Sequence, residues 1–255
     1  MDIDARLQNA VQSFWSARTK NLEKQQQSGK LDAGTRGAVT AGTQMAALEL
    51  LVTDILLEAG LKDIDIKTRT ALELPGYFRA EKKWDLIVVS EGQLVTAMEF
   101  KSQVGPSFGN NFNNRSEEVL GSATCIWTAF REGRFGIGTA PPFIGYVFLL
   151  ENCPEVHKPV RNSEPYFEVD PVFRGEPVKV KKDGRDALAG VSYSKRYELL
   201  CRRLVLERLY SAACLMLSTN AVPTQIMQPA EDLAFHRFAA ALRGHVVTFL
   251  GSRKR

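Results

Sequence analysis

Residues 84–101 read WDLIVVSEGQLVTAMEFK: two apolar runs, Trp84–Val89 and Leu94–Phe100, either side of Ser90-Glu91-Gly92-Gln93. Runs of that length and composition about a glycine-containing turn predict a β-hairpin. With Glu91–Gln93 as the loop, Ser90 faces Leu94 and, counting back along both strands, Asp85 faces Glu99. Lys101 lies two residues beyond Glu99 and therefore on the same face. A slip of one residue leaves the two carboxylates diagonal, about 7–8 Å apart between backbones and still near enough to share an ion.

Two carboxylates so placed repel each other unless something positive lies between them. Hard oxygen donors completed by waters and phosphate oxygens suit Mg²⁺, which lowers the pKa of a bound water and polarises a phosphoryl oxygen. Lys101 beside them can orient the attacking water or stabilise charge on the phosphate, so the trio has the groups that phosphodiester hydrolysis needs. A plainer reading of the same charges is an Asp85–Lys101 salt bridge at solvated strand ends. Against it, the three charges end otherwise apolar strands, where an uncompensated charge is costly.

Outward from the hairpin, Met45, Leu48, Val52, Ile55, Leu56 and Ala59 recur at helical spacing over Gln44–Ala59, and Gly60 supplies the stop. A further helix is expected over Leu7–Glu23, a Gly-rich loop carrying Arg36 over Gln25–Gly42, and a short strand over Asp65–Thr70 before the Pro75-Gly76 turn. Downstream, a Gly- and Asn-rich loop, Val104–Asn114, precedes a helix over Arg115–Arg131 capped by Asn114 or Ser116. The unbroken apolar run Phe143–Leu150 predicts a strand buried on both faces. Residues 151–192 hold five of the eleven prolines and read as an insertion with a short strand in Pro177–Lys182. A long helix over Lys195–Leu217 and another over Leu233–Leu250 close the chain.

The composition bounds the function. The 255 residues are 44% hydrophobic and 24% charged, with 33 Lys+Arg against 29 Asp+Glu for a net +4, proportions of a globular protein rather than of a disordered one. No apolar run approaches the roughly 18–20 residues that cross a bilayer. The N-terminus lacks a signal-peptide pattern and Cys125, Cys153, Cys201 and Cys214 form no CxxC pair, so a reducing cytoplasm is expected. An isoelectric point near 8.9 permits a nucleic-acid partner without requiring one. His157, His236 and His245 are isolated and form no zinc site, and GRFGIG at 133–138 lacks the Lys-Ser/Thr of a phosphate-binding loop.

The hairpin Trp84-Asp85-Leu86 with Glu99-Phe100-Lys101 resembles the PD-(D/E)xK nuclease core, and residues 99–118, EFKSQVGPSFGNNFNNRSEE, resemble those of XhoI-type restriction endonucleases. Residues 36–44, RGAVTAGTQ, and 193–210, YSKRYELLCRRLVLERLY, extend the likeness over most of the chain. The resemblance implies an α/β (α+β) restriction-endonuclease-like fold, a mixed central sheet flanked by helices. It would form a single nuclease domain over 1–255: N-terminal helix and loop 1–43, catalytic core 44–150, insertion 151–192 and C-terminal helices 193–255. It further implies a homodimeric, Mg²⁺-dependent type II enzyme that cuts both strands of double-stranded DNA at the palindrome CTCGAG to leave 5′ overhangs. A cognate methyltransferase would protect the cell's own DNA.

Residue by residue, the resemblance implies that Asp85 and Glu99 hold the metal and that Lys101 acts beside it, all three being catalytic. Glu49 matches the place of a further acid in some members of the wider superfamily, and equally suits the solvent side of its helix. One departure is Trp84, which stands where the general pattern has a proline that shapes the strand and ligates nothing. Asn110, Asn111, Asn113, Asn114 and Arg115 follow the lysine closely; amides can pair with adenine and Arg with guanine in the major groove, while Asn is also at home in turns. Arg36, Gln44, Lys82 and Lys83 are candidates for phosphate contact or for solvated surface. Two alternatives stay open: a nuclease of different specificity, and a non-catalytic DNA-binding protein on a nuclease fold, which the complete acid pair and lysine argue against.

Overall fold

The computed structural model describes residues 2–27, 44–175, 178–179, 186–187 and 189–253. Helices α1 (Ile3–Gln27) and α2 (Ala46–Glu58) come first, then strand β1 (Ile66–Lys67) and a small hairpin of β2 (Glu73–Pro75) and β3 (Glu81–Lys83). The central hairpin is β4 (Leu86–Ser90) and β5 (Gln93–Gln103), followed by helix α3 (Phe108–Arg131) and strand β6 (Phe143–Glu151). After the single turn α4 (Pro154–His157) come β7 (Pro159–Arg161), β8 (Val178–Lys179), β9 (Asp186–Ala187) and β10 (Ala189–Ser192). Helix α5 (Tyr193–Leu206), strands β11 (Ala212–Ser218) and β12 (Ile226–Met227), and helix α6 (Phe235–Gly251) complete the order.

A six-stranded mixed sheet runs β1-β4-β5-β6-β11-β12. The middle pairs, β5 with β6 and β6 with β11, are parallel; the flanking pairs are antiparallel. Alternate strand residues feed two cores. Val88, Val147 and Cys214 pack with α1, α2 and α6, whereas Ile87, Phe148 and Leu215 pack with α3 and α5. The result is helix, sheet, helix: the mixed α/β, restriction-endonuclease-like architecture.

The hairpin register differs from expectation at the turn and agrees at the acid end. Leu86, Ile87 and Val88 pair with Met98, Ala97 and Thr96, but Val89 pairs with Leu94 and Ser90 with Gln93. The turn is therefore the two residues Glu91-Gly92, both at positive φ (49° and 77°), as a twist-matched tight hairpin requires. Val95 is the extra residue of a bulge, and that one residue restores the offset that a three-residue loop would have given.

Two helices are corrected. Helix α3 begins at Phe108, not Arg115, so the asparagines lie on its first turns. Phe108 stacks near Tyr193 and Phe112 meets Tyr197 edge-on at 5.1 Å, tertiary packing that outweighs the weak helix propensity of Asn. The expected helix Lys195–Leu217 stops at Leu206; Arg208 turns the chain at φ 57°, and residues 212–218 form β11, buried on both faces beside β6. Each fully buried Leu or Met there is worth about 1.5–3 kcal/mol, against the few tenths by which helix propensity separates such residues. The C-terminal part, 193–253 as described, is thus helix, strands and helix rather than helices alone.

Among the described residues no helix is long and apolar enough to cross a membrane, and all four cysteines are free thiols. Arg36 lies outside the described residues.

Candidate active site

Asp85 precedes β4 and is held there from two sides: its N–H donates to the Met98 carbonyl at 3.1 Å and its Oδ2 accepts the Phe100 N–H at 2.8 Å. Glu99 and Lys101 project from the α3–α5 face of β5, two residues apart as the pleat requires. Lys101 Nζ stands 3.9 Å from Asp85 Oδ2 and 3.7 Å from Glu99 Oε1. The sheet therefore brings the two acids and the lysine together, with the cation bridging both acids rather than pairing with one.

Glu99 is 2% exposed, and both its oxygens are engaged. Lys82 Nζ lies 2.7 Å from Oε1, and the Tyr210 hydroxyl donates to Oε2 at 2.6 Å. Burial alone would raise the Glu99 pKa; the charges of Lys82 and Lys101, with the hydrogen bonds from Lys82 and Tyr210, hold it below the usual range. Tyr210 moves the other way, its hydroxyl kept protonated by burial and by the adjacent carboxylate. The sequence reading missed Tyr210. It comes from the turn before β11, a region read as helix, so no local signal linked it to Glu99.

A cleft of about 720 Å³ opens on this centre. Glu49, Asp85 and Lys101 line it with Gln44, Asn110, Asn111, Asn114 and Arg115. Helical spacing puts those three asparagines and Arg115 on the cleft side of α3 and turns Asn113 outward to solvent. Arg115 reaches back to Glu118, and its Nε is buried with no hydrogen-bond partner among the described residues. Lys83 is exposed on a neighbouring hollow of about 390 Å³, which Lys82, Glu99, Lys101 and Arg115 also line. Lys82, expected at a phosphate or in solvent, has its ammonium turned in on Glu99 instead. Arg18 of α1, absent from the sequence reading, completes the cleft.

Glu49 is half-buried and its pKa is raised from 4.5 to about 7, first by burial and then by the negative charge of Asp85. Among the described residues no three carboxylate, imidazole or thiol groups converge on one point. A cation held here would take one or two carboxylates from the protein and the rest of its shell from water and phosphate, an arrangement Mg²⁺ accepts. The donor chemistry fits such an ion: Asp85 at the cleft, Glu99 behind it and Lys101 between them.

The acids and the lysine face a cleft rimmed by amides and guanidinium groups, and similarity to known proteins gives the class, the type II restriction endonucleases. The family model described as "Restriction endonuclease XhoI" matches residues 24–227. The chain belongs to the XhoI restriction endonuclease family. It is 47% identical over 230 residues to the type II restriction enzyme BstVI of Geobacillus stearothermophilus, covering 88% of this chain and 95% of that one. It is 45% identical over 177 residues to AbrI of Azospirillum brasilense, 69% and 79% of the two chains. With XhoI of Xanthomonas vasicola it shares 41% over 199 residues, 77% and 73% of the two chains. No solved structure matches it.

Proposed function

We propose that this endonuclease hydrolyses both strands of double-stranded DNA with Mg²⁺, using Asp85 and Glu99 as metal ligands and Lys101 as the adjacent cation. The observation that carries the reading is Lys101 lying within 4 Å of both acids at the mouth of the cleft. When bound, the metal supplies a water of lowered pKa and polarises the phosphoryl oxygen. Asp85, fixed by the Phe100 N–H, presents its carboxylate to the cleft; Lys101 orients the attacking water and stabilises charge on the phosphate. Water adds to phosphorus and gives up a proton to solvent, the P–O ester bond breaks, and the leaving oxygen takes up a proton from solvent in its place. Glu49, half-buried, lines the same cleft as Asp85 and feels its charge.

Asn110, Asn111, Asn114 and Arg115 are the candidates for base contact from α3, and Gln44 and Lys83 for positioning the backbone. The resemblance to XhoI-type enzymes supports the palindrome CTCGAG with 5′ overhangs, a homodimer to match its two-fold symmetry, a single domain, a cytoplasmic setting and a protecting methyltransferase. Digestion of two plasmids, one with a single CTCGAG and one with that site altered, tests the reading in Mg²⁺ and in EDTA, with Glu99→Ala as control. Linearisation of the first plasmid alone, in Mg²⁺ alone, is expected. Cutting of both plasmids would discard the specificity, and binding without cutting would favour a non-catalytic DNA-binding protein.

A further inference from the structure

Lys82 does not behave like a surface lysine. It sits in the middle of the short strand β3, with solvent beyond, yet its side chain is 13% exposed and its ammonium is 2.7 Å from Glu99 Oε1. The same ammonium lies 4.1 Å from the centroid of the Trp84 ring, which is itself buried. An ammonium gives up hydration in this way when a carboxylate and an aromatic face both replace it. Trp84 is the residue that departs from the general nuclease pattern, and an indole offers the cationic head a face that a proline ring cannot.

The consequence falls on Glu99. Tyr210 holds Oε2 from a fully packed position against Tyr146, so that side is rigid. Oε1 is held by a lysine on a flexible four-carbon stem, and that is the side that can open. We propose that Lys82, seated on Trp84, is a positioning residue of the catalytic centre: it holds Glu99 aimed and neutralised while no divalent cation is bound, and yields Oε1 to the cation when one arrives. This rests on the reading of Asp85 and Glu99 as metal ligands.

The test is calorimetric titration of Ca²⁺ and Mg²⁺ into the full-length, DNA-free protein as wild type, Lys82→Met, Trp84→Phe and Glu99→Gln, with melting curves at each cation concentration. Removing a competing cation from Oε1 should tighten binding by about tenfold in Lys82→Met. Its melting temperature should start below wild type and close the gap as cation is added. A lysine with only a structural role predicts a lower melting temperature at every concentration with affinity unchanged or weaker, and that result overturns the proposal. Should Lys82→Met fail to fold, Trp84→Phe decides: tighter binding by roughly two- to fivefold supports it, and unchanged affinity overturns it. If Glu99→Gln binds cation as wild type does, the ligand assignment itself has failed and the proposal falls with it. That is distinct from a Glu99-dependent site indifferent to Lys82.

Discussion

Lys101 and Glu49 face the same small volume of negative charge from opposite sides of the balance. Lys101 lies within 4 Å of both Asp85 and Glu99, so its loss should strike the step in which charge develops rather than DNA binding, which many groups share. Lys101→Ala is expected to slow single-turnover cleavage in Mg²⁺ by at least about a hundredfold while changing gel-shift affinity in Ca²⁺ little; wild-type cleavage would remove Lys101 from the mechanism. Glu49 gives a pH signature. Its pKa rises from 4.5 to about 7 on folding, so the native state binds the extra proton between those values and stability falls as pH rises through the window. Glu49→Gln should therefore match wild type below pH 4.5 and, in metal-free protein at pH 8, melt about 2–4 °C higher after allowance for solvent screening. Equal melting at pH 8 would show that Glu49 carries no such strain.

At the scale of elements, the hairpin was legible because two short apolar runs, a glycine turn and end charges all pointed one way, and Asp85, Glu99 and Lys101 come together as their spacing implied. The turn itself was misread by one residue, since a bulge at Val95 leaves no composition signal. Strand β11 was hidden for a related reason: Leu209, Ala213 and Leu217 sit at helical spacing by coincidence, and only pairing with β6 reveals residues buried on both faces. The Asn-rich start of α3 was hidden because its support comes from Tyr193 and Tyr197, some eighty residues away in sequence. The bulge also separates turn from site. Gly92 has φ 77° and open space around a would-be Cβ, so Gly92→Ala meets only backbone strain, about 1 kcal/mol. A lower urea midpoint at unchanged m-value is expected, with cleavage retained because strand packing beyond Val95 fixes the acid end. Loss of cleavage in folded protein would mean the turn sets that register after all.

At the scale of the whole molecule, the cleft is assembled from α1, α2, α3 and β5, and its α1 contribution lies outside the residues 24–227 that the family model matches. That contribution is Arg18. Its guanidinium is desolvated enough to lower its pKa, an effect opposed by the charge of Glu151, yet among the described residues it forms no ion pair. An arginine in that condition adds little to the stability of the fold, and its five donors suit a phosphate arriving from outside. The net charge of +4 is too small to drive DNA binding by itself, so affinity must depend on where the cations stand. Arg18→Ala is accordingly expected to leave the melting temperature of the free protein within about 2 °C of wild type and to weaken duplex binding on cognate and non-cognate DNA alike. The slope of log affinity against log salt should become shallower by about 1, the signature of one lost phosphate contact. An unchanged slope would show that the α1 wall of the cleft does not touch the backbone. A loss confined to cognate DNA would instead make Arg18 a reader of bases, and would give α1 a share in specificity alongside α3.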